Sequence, residues 1–408
     1  MPTADARCYV SHLEAAIDGT VLSAGTIRTT HAGRPLWVRY DLDAVRAGVD
    51  RDALRGRPAG MWRYRELLPL ADARQRISLG ETMTPLLAAP RLGARLGLHD
   101  LRIKDESRLP TGSFKARGMA VAVSMAQELG VERVAVPTAG NAGGALAAYA
   151  ARAGMEAWVF MPTDTPMVNR YEAALYGAHA YLVDGLITDC GAIVRDGVEA
   201  MGWFDMSTLR EPYRIEGKKT MGLELADQLD WRLPGVVLYP TGGGTGLIGM
   251  WKAFAELETL GWLDAPRRPR LYACQSDGCA PIADAWAAGV RFAQPAVDAH
   301  TIASGIRVPA AIGDFMILDA VRASGGAALT AGEGRLLEWM RLAHRLDGIA
   351  LCPEAAACLD VLDGLVRRGE VQPDEQVVVF NTGASQKYVE AMAVDLPGVE
   401  APLDYSAL

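Results

Sequence analysis

The sequence predicts an α/β protein of two lobes, with mostly parallel sheets flanked by helices. From about residue 80 onward short apolar runs alternate with Ala/Leu-rich amphipathic stretches, the pattern of a parallel sheet wound with helices. The chain has 408 residues, 50% of them hydrophobic, and single cores rarely grow past about 250–300 residues. Two lobes are therefore expected. No internal repeat or low-complexity linker divides them, which puts the boundaries in ordinary loops.

Residues 1–78 read as an N-terminal cap packed on the main body. Within it Pro35-Leu-Trp-Val-Arg-Tyr40 alternates like a strand, and charged helical stretches follow around 44–74. Seven further strands are expected at Leu101–Ile103, Val134–Val136, Ala157–Met161, Ala180–Val183, Val236–Tyr239, Leu271–Ala273 and Val377–Phe380. Residues 79–120 and 225–408 are assigned to a large lobe, and 121–224 to a small, mobile substrate lobe.

Charge and composition narrow the partners. A net charge of −8 argues against nucleic acid and acidic membranes, both of which reward a basic patch. No apolar run approaches the roughly 20 residues of a membrane span, and Met1-Pro-Thr-Ala-Asp-Ala-Arg7 lacks the apolar core of a secretion signal. A cytoplasmic protein with a small-molecule ligand is expected. The six cysteines are scattered, without zinc-type spacing, and read as reduced core residues. No metal site is predicted.

Three local patterns hold the chemistry. Pro110-Thr-Gly-Ser-Phe-Lys-Ala-Arg-Gly118 sets Lys115 in a small, turn-forming context that suits a reactive amine. Thr241-Gly-Gly-Gly-Thr-Gly246 follows the strand Val236–Tyr239 and precedes a helical pattern from about Leu247. Gly242, Gly243, Gly244 and Gly246 omit Cβ atoms where a phosphate approaches the backbone, and Thr245 stands at the start of a helix whose N–H groups face the anion. Thr138-Ala-Gly-Asn141-Ala-Gly-Gly144 places a second set of amides before the helical Ala145–Ala153, so Thr138, Ala139 and Gly140 suit a substrate carboxylate. An amine that needs a carbonyl and a loop that needs a phosphate together point to pyridoxal 5'-phosphate. Asn141 is then placed for its phenolic oxygen. Thr382, at the end of the strand Val377–Phe380, offers a neutral hydroxyl to the pyridine nitrogen.

With these motifs in this order, the chain resembles the fold-type II pyridoxal phosphate-dependent enzymes, the tryptophan synthase β family, across roughly residues 80–390. The resemblance rests on Thr84-Pro85-Leu86, Lys104-Asp-Glu106, Ser113-Phe-Lys115-Ala-Arg-Gly118, Thr138-Ala-Gly-Asn141, Gly242-Gly-Gly-Thr-Gly246 and Thr382-Gly383. It implies that Lys115 is the Schiff-base lysine and general base. Phe114, Asn141, the 242–246 loop and Thr382 are then cofactor contacts. Within the family the chain is most similar to threonine synthases. Glu211-Pro-Tyr-Arg-Ile-Glu-Gly-Lys-Lys-Thr220 resembles their Asn-Pro-x-Arg-x-Glu-Gly-x-Lys-Thr stretch, and a segment of some eighty residues precedes Gly80-Glu-Thr-Met-Thr-Pro-Leu86. That branch implies O-phosphohomoserine as substrate, with Arg214, Lys218 and Lys219 near its phosphate, and a homodimer. Ala116 stands where threonine synthases have Asp, Glu211 where they have Asn, and Ala384-Ser-Gln-Lys387 where the family continues with glycines. These departures keep open a β-eliminating or β-replacing enzyme, of the serine/threonine dehydratase or diaminopropionate ammonia-lyase kind. With a phosphate substrate Glu211 is offset by Arg214, Lys218 and Lys219 or points to solvent; in the alternative reading it serves a different substrate.

Overall fold

The computed structural model describes residues 8–265, 267–392 and 396–398. Its largest sheet has six strands, in the order Ala327–Ala331, Arg270–Ser276, Val236–Pro240, Gln376–Asn381, Asp100–Asp105 and Leu86–Ala88. The first five run parallel and the last is antiparallel. A second, wholly parallel sheet orders His179–Val183, Glu156–Pro162, Arg133–Pro137 and Phe204–Asp205. All eight strands expected from apolar runs are present. The large-sheet runs are legible because helices cover both faces: every residue of Val236–Pro240 is buried.

Three helices, Lys115–Glu128, Tyr213–Gln228 and Thr245–Leu260, pack closely on one another. Close approach depends on glycine. A Cβ on Gly217 would sit 2.0 Å from the Arg117 carbonyl oxygen, and one on Gly222 would sit 2.9 Å from the Ala253 methyl. Tyr213–Gln228 is buried along almost its whole length, despite its many charged residues. Its charges are tolerated because they are paired. Arg117 bonds Glu106 and Glu224, and Lys104 bonds Glu224, while Lys219 and Lys252 share Glu216 and Glu256. The family signatures around Thr84, Lys104 and Glu106 thus belong largely to a dry structural network beneath the lysine helix, where one lost partner strands a charge.

The N-terminal region differs from its sequence reading. Strands Val10–Ala15, Val21–Leu22 and Leu36–Tyr40 make a small antiparallel sheet. The charged stretch around 44–74 yields one α-helix, Leu42–Gly48, and then three 3-10 turns. Gly56, Pro58, Gly60 and Pro69 interrupt the helical ladder there. Val45, Leu54, Tyr64 and Leu67 from this region pack with Trp231, Leu257 and Trp262. Among the described residues no helix is long and apolar enough to cross a membrane.

Candidate active site

Lys115 owes its position to a pinned turn. Thr111 and Gly112 take left-handed backbone angles, φ 57° and 61°, turning the chain just before the lysine helix. Phe114 N donates to Thr382 O at 3.0 Å and Ala384 N to Gly112 O at 2.8 Å. Lys115 and Thr382, far apart in sequence, are thereby fixed on one pocket wall. The phosphate-type loop faces them: strand Val236–Pro240 runs into Gly242–Gly244, with Gly244 at φ 74°, and the helix starts at Thr245. Opposite, strand Arg133–Pro137 leads through Thr138–Gly140 into helix Asn141–Ala153. Thr138 Oγ1 accepts from Gly140 N at 3.0 Å and holds that turn.

One cavity gathers these pieces. Phe114, Lys115, Thr138, Ala139, Gly140, Asn141, the Gly242–Gly246 loop and Thr382 all line it. The glycines let the loop backbone pack where no side chain fits. A Cβ would lie 2.8 Å from Val308 Cγ2 at Gly242, 2.7 Å from Thr208 Cγ2 at Gly243, and 1.9 Å from the Tyr239 hydroxyl at Gly246. Burial, then the charge of Arg214, lowers the Lys115 amine to about 7, against a smaller upward pull from Glu354. An amine so placed is in large part unprotonated near neutral pH.

A sequence model of the family described as pyridoxal-phosphate dependent enzyme matches residues 77–383. The chain belongs to that family. Threonine synthase of Methanocaldococcus jannaschii is 34% identical over 90% of this chain and 90% of its own length. The threonine synthase of Methanosarcina acetivorans is 34% identical, covering 85% of this chain and 84% of that protein. Among solved structures, diaminopropionate ammonia lyase from Escherichia coli superposes with a TM-score of 0.65 at 19% identity, over 78% of this chain and 90% of that one. Maize serine racemase gives 0.64 at 21% identity, over 83% and 94%. These two share the fold.

The residues present fit pyridoxal phosphate. Besides the Cβ-free cradle, buried polar atoms around the cavity lack hydrogen-bond partners among the described residues: Asn141 Oδ1, Ser304 Oγ, Tyr239 Oη and Glu354 Oε2. Among the described residues Thr382 Oγ1 has only a 3.7 Å contact with Cys352 Sγ.

The expected substrate-phosphate residues separate into two sets. Lys218 Nζ lies 5.0 Å from the Phe114 ring centroid, and neither Lys218 nor Arg214 lines the cavity. Arg214 Nη1 donates to Met206 O at 2.6 Å, while its Nε and Nη2, and Lys218 Nζ, find no hydrogen-bond acceptor among the described residues. Burial, then Arg214 and Lys115, holds the Lys218 amine well below its usual value. Lys219 points elsewhere, 2.8 Å from Glu216 and 2.9 Å from Glu256. The solvent-facing alternative for Glu211 does not hold. Glu211 is 1% exposed, and its Oε2 accepts from Tyr213 N at 2.7 Å and Arg214 N at 3.0 Å, satisfying amides at the start of the buried helix.

Sequence reasoning missed Thr208, Tyr239, Ser304, Glu354 and Tyr388, which also line the cavity. Glu354 had a signal: it is the acid in the first turn of the helix Pro353–Arg367, followed by Ala355-Ala-Ala357. The others sit in stretches with no distinctive spacing. The Ala384–Lys387 departure forms a 3-10 turn, Ser385–Lys387, and Lys387 Nζ reaches Thr111 O at 2.9 Å and Glu172 Oε2 at 2.6 Å.

Proposed function

We propose that this enzyme is a threonine synthase, converting O-phosphohomoserine and water to threonine and phosphate by γ-elimination and β-addition. The observation that carries the reading is a second set of buried basic groups with unused hydrogen-bond donors, Arg214 and Lys218, near a lysine already served by a glycine loop. One cofactor phosphate would suit the loop, and a second anion, on the substrate, would suit the unused donors. The threonine synthases similar to this chain at 34% identity support the same activity.

Pyridoxal phosphate, when bound, draws electron density away from the substrate's α-carbon. Lys115 Nζ is the group that removes and returns protons at the substrate carbons, its proton affinity lowered by burial to suit neutral pH. The turn Thr138, Ala139 and Gly140 would hold the substrate carboxylate through the Ala139 N–H, since the Thr138 N–H is spent on Phe160 O and the Gly140 N–H on Thr138 Oγ1. Phe114 and Asn141 would contact the cofactor ring, the backbone of Gly242, Gly243, Gly244, Thr245 and Gly246 would bind its phosphate, and Thr382 would offer a neutral hydroxyl to its nitrogen, a pairing that would favour elimination chemistry. Residues 121–224 form the substrate lobe, and the active species is a cytoplasmic homodimer.

The test is a pair of turnover assays on the cofactor-loaded protein. Equimolar phosphate and threonine from O-phosphohomoserine are expected. Oxo acid from serine or threonine, with no phosphate released, would instead place the enzyme among the dehydratase-like lyases, where Ala116 and Glu211 would be the residues to pursue.

A further inference from the structure

A line of hydrogen bonds runs along the cavity wall from a carboxylate to Asn141. Glu354 Oε1 accepts from Gly305 N at 2.8 Å and from the Tyr388 hydroxyl at 2.8 Å. Tyr388 Oη in turn lies 3.1 Å from Asn141 Nδ2. All three side chains are buried, at 3%, 2% and 6% exposure, and all three line the cavity.

The direction of this line follows from donor count. A carboxylate only accepts, so the one hydroxyl hydrogen of Tyr388 goes to Glu354. Its oxygen can then only accept from Asn141, which requires the amide nitrogen, not the carbonyl oxygen, to face Tyr388. One N–H of Asn141 is used there, and the second remains for an acceptor in the cavity. Asn141 Oδ1 has no hydrogen-bond partner among the described residues. Tyr388 is therefore the side-chain contact that chooses between the two amide orientations. Burial, then the charge of Glu354, holds the phenol's proton affinity well above its usual value, so the hydrogen stays on Tyr388.

We propose that Tyr388, held by Glu354, is a positioning residue that turns the Asn141 amide so that an N–H faces the ring oxygen of the cofactor. This rests on the cofactor contacts proposed above. Nothing near Tyr388 in sequence announces it, because it follows the stretch where the chain departs from its family's glycines. Without the phenol the amide loses the acceptor that holds its nitrogen on this side of the cavity.

The experiment uses the cofactor-loaded protein and reads the visible spectrum, its pH midpoint and the affinity for pyridoxal phosphate, alongside kcat and KM. Tyr388→Phe, Asn141→Ala, their double variant and Glu354→Ala are compared. Tyr388→Phe is expected to shift the visible band or its midpoint and to weaken cofactor binding about fivefold, the scale of one hydrogen bond. The double variant should match Asn141→Ala, because a residue acting through Asn141 has nothing left to act on. Glu354→Ala should reproduce the spectral change of Tyr388→Phe, and it tests the relay independently if that variant fails to fold. An unchanged spectrum and affinity in Tyr388→Phe, a full Tyr388 effect persisting in the Asn141→Ala background, or no change in Glu354→Ala would each overturn the proposal. The spectrum and affinity need no amino-acid substrate, so they stay decisive if the threonine synthase assay fails. A wild-type protein that binds no cofactor would sink the cofactor contacts themselves.

Discussion

Replacing Glu211 by Gln should stabilise the protein at alkaline pH and do little at acid pH. Burial raises the Glu211 carboxyl to about 7, against the attraction of Arg214 and the two N–H bonds from Tyr213 and Arg214. Its ordinary value is 4.5, so the folded protein holds the proton across a gap of ~2.5 pH units where the unfolded chain releases it. Because the folded value is the higher one, this group's contribution to stability is fully present below about 4.5 and is lost as pH rises through about 7. At about 1.4 kcal/mol per pH unit the ionised carboxylate costs ~3 kcal/mol at pH 8. Glutamine keeps an oxygen for the two amides and carries no charge. Urea unfolding of the cofactor-free protein at pH 5 and pH 8 measures the difference. A gain of up to ~3 kcal/mol at pH 8 and a much smaller change at pH 5 are expected. A loss that grows with pH would show that the carboxylate is needed as an anion beside Arg214 and Lys218, and would refute the reasoning.

Three further outcomes are expected. Lys115→Ala should abolish turnover and the visible band of the bound cofactor, and in the wild type the rate at which cofactor-free protein captures pyridoxal phosphate should rise with pH through about 7, followed by stopped-flow absorbance. Gly246→Ala should weaken cofactor affinity tenfold or more, of order 1.4 kcal/mol, because its methyl would fall 1.9 Å from the Tyr239 hydroxyl at the phosphate loop; equilibrium dialysis reads this directly. Arg117→Met should cost about 3–5 kcal/mol, since it leaves Glu106 without its ion partner and Glu224 with Lys104 alone, and thermal unfolding should show it with or without cofactor.

What the sequence made legible depends on the range of the interaction. Strands such as Val236–Pro240 and Gln376–Asn381 read clearly because both faces are buried, leaving continuous apolar runs. Val10–Ala15 pairs in a small sheet with polar residues between its apolar ones, and Ala327–Ala331 is built mostly of alanine, so neither stood out. Lys115, Asn141 and the glycine loop were found because each turn is specified by its own neighbours. Thr208, Ser304 and Tyr388 reach the cavity only through tertiary packing, which no local pattern encodes. Glu211 illustrates the converse: its position in a recognisable motif invited a role toward substrate, yet a hydrogen bond two residues away in sequence determines where it points.

The helix Lys115–Glu128 begins with the reactive amine and, two residues later, holds the guanidinium that ties the interior together. Genetic readouts of this stretch will therefore confound two quantities. A mutational scan scored by growth would rank Arg117 beside Lys115, although one variant empties the cell of folded protein and the other fills it with inert protein. Scoring soluble abundance in parallel separates them, with loss of Lys115 leaving the level unchanged and loss of Arg117 lowering it.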